Sequence, residues 1–533
     1  MRRSLRLRRW QKAALDAFET HPRADFLTVA TPGAGKTTFA MTAALRNLAH
    51  HPHRRVVVVA PTQHLKHQWA DAAADFGLQL ESSWSAADGM PRDMHGIVVT
   101  YQQVAATVPH LQPLADDAFV VLDEIHHAGS ERAWGAAVGE AFGAAAHRLA
   151  LSGTPFRSDT DPIPFVRYDA DVAVADYVYG YGDALHDGGV VRPVFFPAVG
   201  GHMEWTAPDG ALMRASFADP LDRVGASHRL RTALSPHGEL LATVLRQANH
   251  RLGEIRRAQP DAGGLVIAMD VDHARAVCRL LERLGVSPTL ATSDEADASD
   301  RIADFAAGKD PWIVAVRMVS EGVDIPRLRV GVYATNIVTE LFFRQAVGRI
   351  ARWQPAYRRQ KAFMFLPDDI RLRTLAHQLA QERTHSLARR EADGDQPPVA
   401  LDAATDDQLS LFAAISATPE MDDAASGIFD DAHPEDLIVD AADMGAYDIE
   451  LLPPPALGSD HGVMDGGSRR RRKRELRQQN SDRVRIISHL SGLTPEVINA
   501  RLNADVGVAS IADAGVRHLE RRLAAADTWI DRL

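Results

Sequence analysis

Nine consecutive residues, Ala30–Thr38, have the composition of a phosphate-binding loop. They read Ala-Thr-Pro-Gly-Ala-Gly-Lys-Thr-Thr, and they stand between a short apolar run and a helical pattern. A glycine-rich turn between a strand and a helix points several backbone N–H groups at one spot, where the helix dipole adds positive potential. We therefore predict a triphosphate site at this turn. Its expected contacts are Thr31, Gly33, Ala34, Gly35, Lys36, Thr37 and Thr38.

Two residues of this loop have more specific expected roles. Lys36 would reach the outer phosphates, and the hydroxyl of Thr37 would ligate Mg²⁺. Ala30 stands where the general pattern has its first glycine. The alternative is a plain strand, turn and helix with a surface lysine.

Two adjacent carboxylates, Asp123 and Glu124, follow the apolar run Phe119–Leu122. The carboxyl end of a parallel strand is where the ligands of such sheets bind. Asp123 is expected to hold Mg²⁺ through water. Glu124 is expected to orient and deprotonate the water that attacks a γ-phosphate.

Unbroken apolar runs predict the strands that position these residues. Such runs alternate with helical patterns in two successive sets, which is typical of parallel sheets. The first set comprises residues 26–29, 55–60, 96–99, 119–122 and 147–151, and the second comprises residues 264–269, 288–291, 312–316 and 330–334. The expected fold is α/β, with two tandem parallel-sheet lobes and a C-terminal helical region.

Length and composition predict several domains. A chain of 533 residues is too long for one compact core. The bounds we expect are 1–185 for the first lobe, 186–258 for a helical or irregular connection, 259–370 for the second lobe, 371–467 for a helix and an acidic, partly disordered linker, and 468–533 for a basic helical module.

The distribution of charge matters more than the total of −11. Residues 391–467 contain 19 Asp or Glu and no Lys or Arg, so the rest of the chain carries −11 + 19 = +8. A mildly basic body is compatible with a nucleic-acid partner. One cysteine, Cys278, excludes an intrachain disulfide and fits a reducing cytoplasm. No run is long enough to cross a bilayer, and the basic segment at residues 1–9 is interpreted as part of the fold.

The C-terminal region leaves two interpretations open. Residues 469–474 read Arg-Arg-Arg-Arg-Lys-Arg and precede an amphipathic helical pattern, with Thr494 and Pro495 at the start of a further helix. The arginines could bind nucleic-acid phosphates. The region could equally be a solvated charge run before a helical bundle that binds a protein, and the acidic linker could also bind a protein partner.

Three further polar residues are candidate contacts from their positions alone. Gln11 could pair with N6 and N7 of adenine through its amide, although a glutamine on a helix is usually solvated. Thr62 and Thr100 each follow a predicted strand, where a hydroxyl can bind a nucleic-acid phosphate. An ordinary helix cap is an equally good explanation of each threonine.

A predicted helix near residue 345 carries a cluster of functional groups. Gln345, Gly348, Arg349 and Arg352 recur every three or four residues and therefore share one face. Such a face can present two guanidinium groups to a phosphate. The alternative is a basic surface helix.

The order of these motifs resembles the superfamily 2 helicases and translocases of the DExH type. The resemblance extends from about Leu5 to Leu366. Asp123–His127, which reads Asp-Glu-Ile-His-His, and Leu151–Arg157, which reads Leu-Ser-Gly-Thr-Pro-Phe-Arg, look most like DNA-directed motors. These include the motor subunits of type III restriction enzymes and the repair helicases that open promoters.

The resemblance implies two RecA-like lobes and further roles for residues. Arg349 and Arg352 would be arginine fingers that complete the ATPase site, with Gln345 near the γ-phosphate. Gly322 and Asp324 would touch both nucleotide and nucleic acid. The implied coupling residues are His126, Ser152 and Thr154, and the implied nucleic-acid contacts include Thr292 and Ser320 beside Thr62 and Thr100.

The resulting hypothesis is a helicase or translocase that hydrolyses ATP to ADP and phosphate with Mg²⁺ and moves along nucleic acid, with DNA favoured over RNA. Two alternatives remain. The chain could be the motor subunit of a restriction or defence complex with a partner nuclease. It could also be an ATP-gated nucleic-acid switch that never unwinds.

Overall fold

The computed structural model divides the chain into two compact units. It describes residues 3–86, 94–129, 132–154, 162–169, 172–206, 212–292, 298–316, 325–357, 360–393, 447–455, 466–508, 511, 514 and 516–533. The first unit contains residues 1–29, 35–178 and 445–533, and the second contains residues 30–34 and 179–444. The five domain bounds expected from the sequence stay a prediction.

The first unit is built on a parallel sheet whose strands alternate with helices. In chain order its elements are β1 (Arg3–Leu7), α1 (Arg9–Glu19), β2 (Asp25–Ala30), α2 (Lys36–His50), β3 (Val56–Ala60), α3 (Gln63–Asp75), β4 (Leu80–Glu81), β5 (Gly96–Thr100), α4 (Tyr101–Ala115), β6 (Phe119–Leu122), α5 (Arg132–Phe142), β7 (His147–Ser152), β8 (Arg167–Asp169), β9 (Val172–Val174) and β10 (Tyr177–Tyr179). The sheet order is β10-β2-β7-β6-β3-β5-β4, and the pairings among β2 to β7 are parallel. The four valines of β3 are fully buried, as expected when both faces of a sheet are covered.

The second unit repeats this architecture. Its elements are α6 (Tyr181–Asp187), β11 (Val194–Phe195), β12 (Ala198–Val199), β13 (His202–Thr206), β14 (Leu212–Ser216), α7 (Arg223–Ala233), α8 (Glu239–Ala258), β15 (Gly263–Ala268), α9 (Val271–Arg283), β16 (Thr289–Ala291), α10 (Ala298–Ala307), β17 (Trp312–Ala315), β18 (Leu328–Ala334), α11 (Glu340–Ile350), β19 (Ala362–Pro367) and α12 (Ile370–Asp393). The sheet order is β11-β19-β18-β15-β17-β16, with β12 also paired to β19. All of these pairings are parallel. The predicted α/β class with two parallel sheets is confirmed.

The segment expected to be a helical or irregular connection also holds strands. β11 and β12 add to the second parallel sheet, and β13 and β14 form an antiparallel hairpin. Strands of two residues, such as β11 and β12, are too short to show a periodic pattern in the sequence.

The last elements of the chain return to the first unit. They are β20 (Tyr447–Leu451), α13 (Gly466–Ser491), α14 (Pro495–Val506) and α15 (Val516–Ile530). β20 pairs antiparallel with β1, which places Asp448 opposite Arg6 and Ile449 opposite Leu5. Residues 3–7 of the basic N-terminal segment are thus part of the fold, as expected, and their partner strand lies within the acidic block.

The three C-terminal helices pack as a small bundle. One apolar cluster joins Val484 and Ile487 of α13 to Ile498 and Leu502 of α14. Helix α14 begins at Pro495 with Thr494 before it, as predicted. Four further apolar residues of α13, α14 and the turn between them are exposed, namely Ile486, Leu490, Leu493 and Val497.

The described part of the basic run contacts carboxylates. Lys473 Nζ lies 3.8 Å from Glu81 Oε2, and Arg477 Nη1 lies 3.3 Å from the same oxygen. Arg472 forms an ion pair with Glu520 at 3.1 Å. Lys473 of the run and Arg477 beyond it attach the bundle to β4, and Arg472 pairs within the bundle, which favours a structural role for the described part of the run. Among the described residues, no helix combines the length and the apolarity that a bilayer crossing requires.

Candidate functional site

The predicted phosphate loop is the connection between β2 and α2. Gly33 and Gly35 have φ values of +87° and +92°, which L side chains rarely adopt. Helix α2 begins at Lys36 directly after Gly35. A glycine cannot cap a helix with a side chain, so a bound anion is a natural acceptor for the first N–H groups of α2.

Gln11 ties helix α1 to this loop. Its Nε2 donates to the carbonyl of Gly35 at 2.9 Å, and its Oε1 accepts the N–H of Arg8 at 2.8 Å. A Cβ atom added at Gly35 would lie 2.7 Å from Gln11 Nε2. The amide keeps one hydrogen and one lone pair for a further partner, so the adenine contact stays a prediction.

The two acidic residues lie directly after the central strand β6, as expected. Asp123 is buried, and its Oδ2 accepts a hydrogen bond from Trp69 Nε1 at 2.7 Å. Its carbonyl accepts one from the hydroxyl of Tyr101 at 2.8 Å. A side chain and a backbone group of Asp123 are thus both fixed by aromatic residues on neighbouring helices.

Glu124 lies between positive and hydrogen-donating groups. Its Oε1 is 2.9 Å from Lys36 Nζ, and its Oε2 accepts the N–H of Gly153 at 2.9 Å. The φ of Glu124 is +46°, a conformation that costs energy for a residue other than glycine and that is found mostly at functional sites. The strained backbone turns the carboxylate toward the loop that carries Lys36.

The surroundings of the two carboxylates shift their pKa values in opposite directions. Burial, and then the negative charge of Glu124, raise the pKa of Asp123. For Glu124 burial acts upward, but the charges of Lys36 and His126 outweigh it and lower its pKa. Glu124 is therefore held as an anion, which is the form that can accept a proton from water.

The predicted coupling residues lie beside Glu124. His126 Nδ1 is 3.7 Å from Glu124 Oε2 and 3.4 Å from Ser152 Oγ. Ser152 donates to the carbonyl of Thr154 at 2.7 Å. Within the described residues, the buried Oγ1 of Thr154 has no hydrogen-bond partner. The structure thus brings these residues together, while their coupling role stays a prediction.

The second unit carries the predicted arginine motif. Gln345 and Arg349 lie on α11, but this helix ends at Ile350, so Arg352 follows the helix and does not lie on it. The helix prediction was wrong here because the chain leaves the helix to form an isolated β-bridge with Val191. Residues 30–34 of the phosphate loop belong to the same unit. A Cβ atom built on Gly33 would lie 2.7 Å from Arg352 Nη1.

Of the remaining predicted contacts, three lie outside the described residues and two are helix N-caps. Ser320, Gly322 and Asp324 lie outside the described residues. The hydroxyls of Thr62 and Thr100 accept N–H groups of α3 and α4 as helix N-caps, at 3.3 and 3.2 Å. Thr100 is buried, as is Thr292 after β16. These caps account for the two threonines structurally, and the nucleic-acid contacts stay predictions.

Comparisons with known proteins identify the family. A sequence model of the res subunit of type III restriction enzymes matches residues 4–157. "Uncharacterized protein Rv2917" of Mycobacterium tuberculosis (strain ATCC 25618 / H37Rv) is 46% identical over 432 residues, which cover 78% of this chain and 71% of that protein. The chain belongs to the same family as this mycobacterial protein, and its residues 4–157 match the helicase-like res subunit. "Uncharacterized protein ML1624" of Mycobacterium leprae (strain TN) is 43% identical to this helicase-like chain, over 78% of it and 72% of that protein.

One solved structure supports the fold of this helicase-like chain. It is a fragment provisionally assigned as the HsdR subunit of a type I restriction enzyme from Vibrio vulnificus YJ016. The TM-score is 0.50 at 18% identity, with 69% of this chain and 65% of that chain covered. The chain thus spans less than two thirds of that structure, and the likeness concerns the fold alone.

Sequence reasoning missed two residues of the site, Trp69 and Tyr101. Both contact Asp123, yet neither belongs to a run of chemically suggestive residues. A usable signal existed for Trp69, because it lies seven residues beyond Thr62 and therefore on the same face of α3. That face starts at the carboxyl end of β3, next to the acidic pair.

The donor set of the site fits magnesium. The oxygens of Asp123 and Thr37 are the ligands that Mg²⁺ prefers. Among the described residues, no donor reaches Asp123 Oδ1, while Trp69 occupies Oδ2. The buried Asp123 and the partly exposed Glu124 in succession also favour a divalent cation, because it would offset their mutual repulsion.

Proposed function

We propose that this helicase-like chain is an ATP-driven nucleic-acid motor that acts preferentially on DNA. The observation that carries the proposal is the position of Glu124, between the ammonium of Lys36 and the N–H of Gly153 and directly after Asp123. This arrangement can hold a terminal phosphate and a water molecule at one place. The mildly basic body of the chain favours a phosphate-bearing partner.

In this proposal each side chain of the site has one task. Lys36 leaves its ion pair with Glu124 to bind the outer phosphates, which frees the carboxylate to orient the attacking water and to accept its proton. When bound at Thr37 and Asp123, Mg²⁺ would neutralise charge on the phosphates. Arg349 and Arg352 would stabilise charge that develops in the transition state, with Gln345 beside them.

The proposal also includes a path for the nucleic acid. Thr62, Thr100, Thr292 and Ser320 mark the proposed contact segments, which would bind the phosphate backbone with little dependence on sequence. Ser152, Thr154 and His126 would couple hydrolysis to movement.

A strand-displacement assay run beside an ATPase assay tests movement. ATP-dependent displacement supports a helicase.

Displacement of a triplex-forming strand without duplex unwinding supports a translocase. Stimulated hydrolysis with neither kind of displacement would instead establish the ATP-gated switch.

The match to the res subunit of type III restriction enzymes favours, as a second candidate, the motor subunit of a restriction complex. Co-purification with a nuclease or a methyltransferase would support that candidate, and isolation of the chain alone from its native cells would oppose it.

Replacing Gly35 with alanine should weaken nucleotide binding by about tenfold or more, because a left-handed conformation costs about 1–2 kcal/mol for alanine. The new methyl group would also meet Gln11 Nε2. Titration with a fluorescent ATP analogue measures the effect. Gly285→Ala is the matched control, since Gly285 has a φ of +78° and nothing within 4 Å of its added Cβ. Equal affinities for both variants would contradict the assigned role of the loop.

Replacing Trp69 with phenylalanine should raise the Mg²⁺ concentration needed for half-maximal turnover about tenfold, because a hydrogen bond to a charged group contributes about 1.5–3 kcal/mol. The KM for ATP at saturating Mg²⁺ should stay unchanged. Mn²⁺ binding in the presence of nucleotide, followed by electron paramagnetic resonance, gives a readout independent of activity. Trp84→Phe is the control, since Trp84 is equally buried in the core of the same unit. An unchanged metal requirement would show that Trp69 only fills space.

A further inference from the structure

Arg192 is a fully buried arginine in the second unit. Its Nη2 donates to the carbonyl of Pro326 at 2.8 Å, and its Nη1 donates to the carbonyl of Leu328 at 3.4 Å. Among the described residues, its side-chain acceptors are these two carbonyls, and its buried Nε has no partner. Burial, and then the positive charge of Arg329, lower the pKa of Arg192.

Such a residue is costly to keep. Burying a guanidinium without a carboxylate sacrifices hydration that two carbonyl groups replace only in part. An apolar side chain of similar length would avoid this cost, but it could not donate to the two carbonyls. The positions of its partners suggest what the arginine provides.

The backbone of the same segment holds the end of the arginine motif. The N–H of Arg192 donates to the carbonyl of Ala351 at 2.7 Å, and the N–H of Trp353 donates to the carbonyl of Val190 at 3.3 Å. Val191 and Arg352 form the isolated antiparallel bridge between these contacts. Arg352 is thus held by backbone pairing with residues 190–192, directly after helix α11 ends.

Arg192 therefore contacts two places at once. Its side chain holds the start of β18 and Pro326, two residues beyond the predicted nucleotide contact Asp324. Its backbone holds the end of α11, next to Arg352. Tyr181 fixes the segment from the other side, because its hydroxyl donates to the carbonyl of Arg192 at 3.2 Å and accepts the N–H of Val194 at 2.9 Å.

We propose that Arg192 is a positioning residue. It fixes the place of Arg352 relative to the chain at Pro326, so that Arg352 is correctly placed during ATP hydrolysis. The inference rests on the proposed function. Arg192 touches no reacting atom and acts through the backbone of its neighbours. Its loss should therefore affect the transition state more than the binding of ATP.

The test compares Arg192→Met with Arg229→Met in the full chain. Arg229 is also buried in the second unit, and its Nη1 likewise donates to two carbonyls, those of Ser216 and Asp219, each at 2.7 Å. Its Nε is buried without a partner too. Arg229 also lies over the ring of Phe217, 5.3 Å from its centroid. The two substitutions remove similar buried groups, but only Arg192 adjoins Arg352 and Pro326.

Arg192→Met should lower kcat about 10- to 100-fold, because a small misplacement of a catalytic group costs that much. Its KM and the affinity for a fluorescent ATP analogue should stay within about twofold of the parent. Arg229→Met should keep kcat within about twofold. Amide hydrogen exchange of residues 351–354 should become faster in Arg192→Met only.

Equal losses of kcat in the two variants, at equal melting temperatures, would overturn the inference while the proposed function stood. A parent protein without ATPase activity would instead remove the proposed function. In that case hydrogen exchange decides the positioning role by itself, since unchanged exchange of residues 351–354 in Arg192→Met would refute it.

Discussion

Glu124→Gln should keep nucleotide affinity within about twofold of the parent and should lower turnover about 100- to 10 000-fold, the usual contribution of a general base. A glutamine side chain can still accept the N–H of Gly153, which now bonds to Glu124 Oε2 at 2.9 Å. It cannot take a proton from water at neutral pH. Binding is measured with a fluorescent ATP analogue, and turnover is measured as single-turnover phosphate release.

A buried glutamate elsewhere in the same unit serves as the control. Glu81 is 7% exposed and also lies next to cationic side chains, Lys473 and Arg477. Glu81→Gln should leave turnover within about threefold, because this carboxylate attaches the C-terminal helices and lies outside the predicted catalytic set. Turnover of Glu124→Gln within a few-fold of the parent would contradict the assignment of Glu124.

Arg352→Ala should lower turnover about 1 000-fold, the lower end of what an arginine finger contributes to phosphoryl transfer. The guanidinium lies against Gly33 of the phosphate loop, within the same compact unit. Its proposed task is to stabilise charge in the transition state, so affinity for ATP should change little. Affinity for ADP with aluminium fluoride, which imitates the transferred phosphoryl group, should fall in parallel with turnover.

Arg344→Ala tests whether any arginine of this helix would have the same effect. Arg344 lies on α11 and pairs with Glu340 and Glu382 at 2.8 and 2.7 Å. Its loss should cost stability but should leave turnover per folded molecule within about threefold. If Arg352→Ala behaved like Arg344→Ala, the contact of Arg352 with the loop would be packing alone.

The two sheets and the acidic pair were predictable because they depend on local patterns. The runs that form β3 and β6 are continuous and apolar. Gly33 and Gly35 indicate a turn, and both have positive φ in the structure. The family resemblance then placed Lys36, Asp123 and Glu124 at one site. The ion pair of Lys36 with Glu124 agrees with that placement.

The features that the sequence did not reveal depend on partners that are distant in the chain. Glu81 binds Arg477, 396 positions away. β20 alternates apolar and polar residues, but its pairing with β1, at the other end of the chain, has no local signal. Arg352 leaves its helix because the backbone of residues 190–192 competes for its hydrogen bonds. Local periodicity carries no information about such competition.

The most direct measurement is the steady-state rate of ATP hydrolysis without nucleic acid and with single-stranded DNA, duplex DNA or RNA, each at saturating concentration. The account predicts a low basal rate that rises at least about tenfold with one of the DNA substrates and less with RNA, in a Mg²⁺-dependent manner. The rise should disappear in Glu124→Gln. A rate that no nucleic acid changes, or one that Glu124→Gln retains, would contradict the proposal that this site drives a nucleic-acid motor.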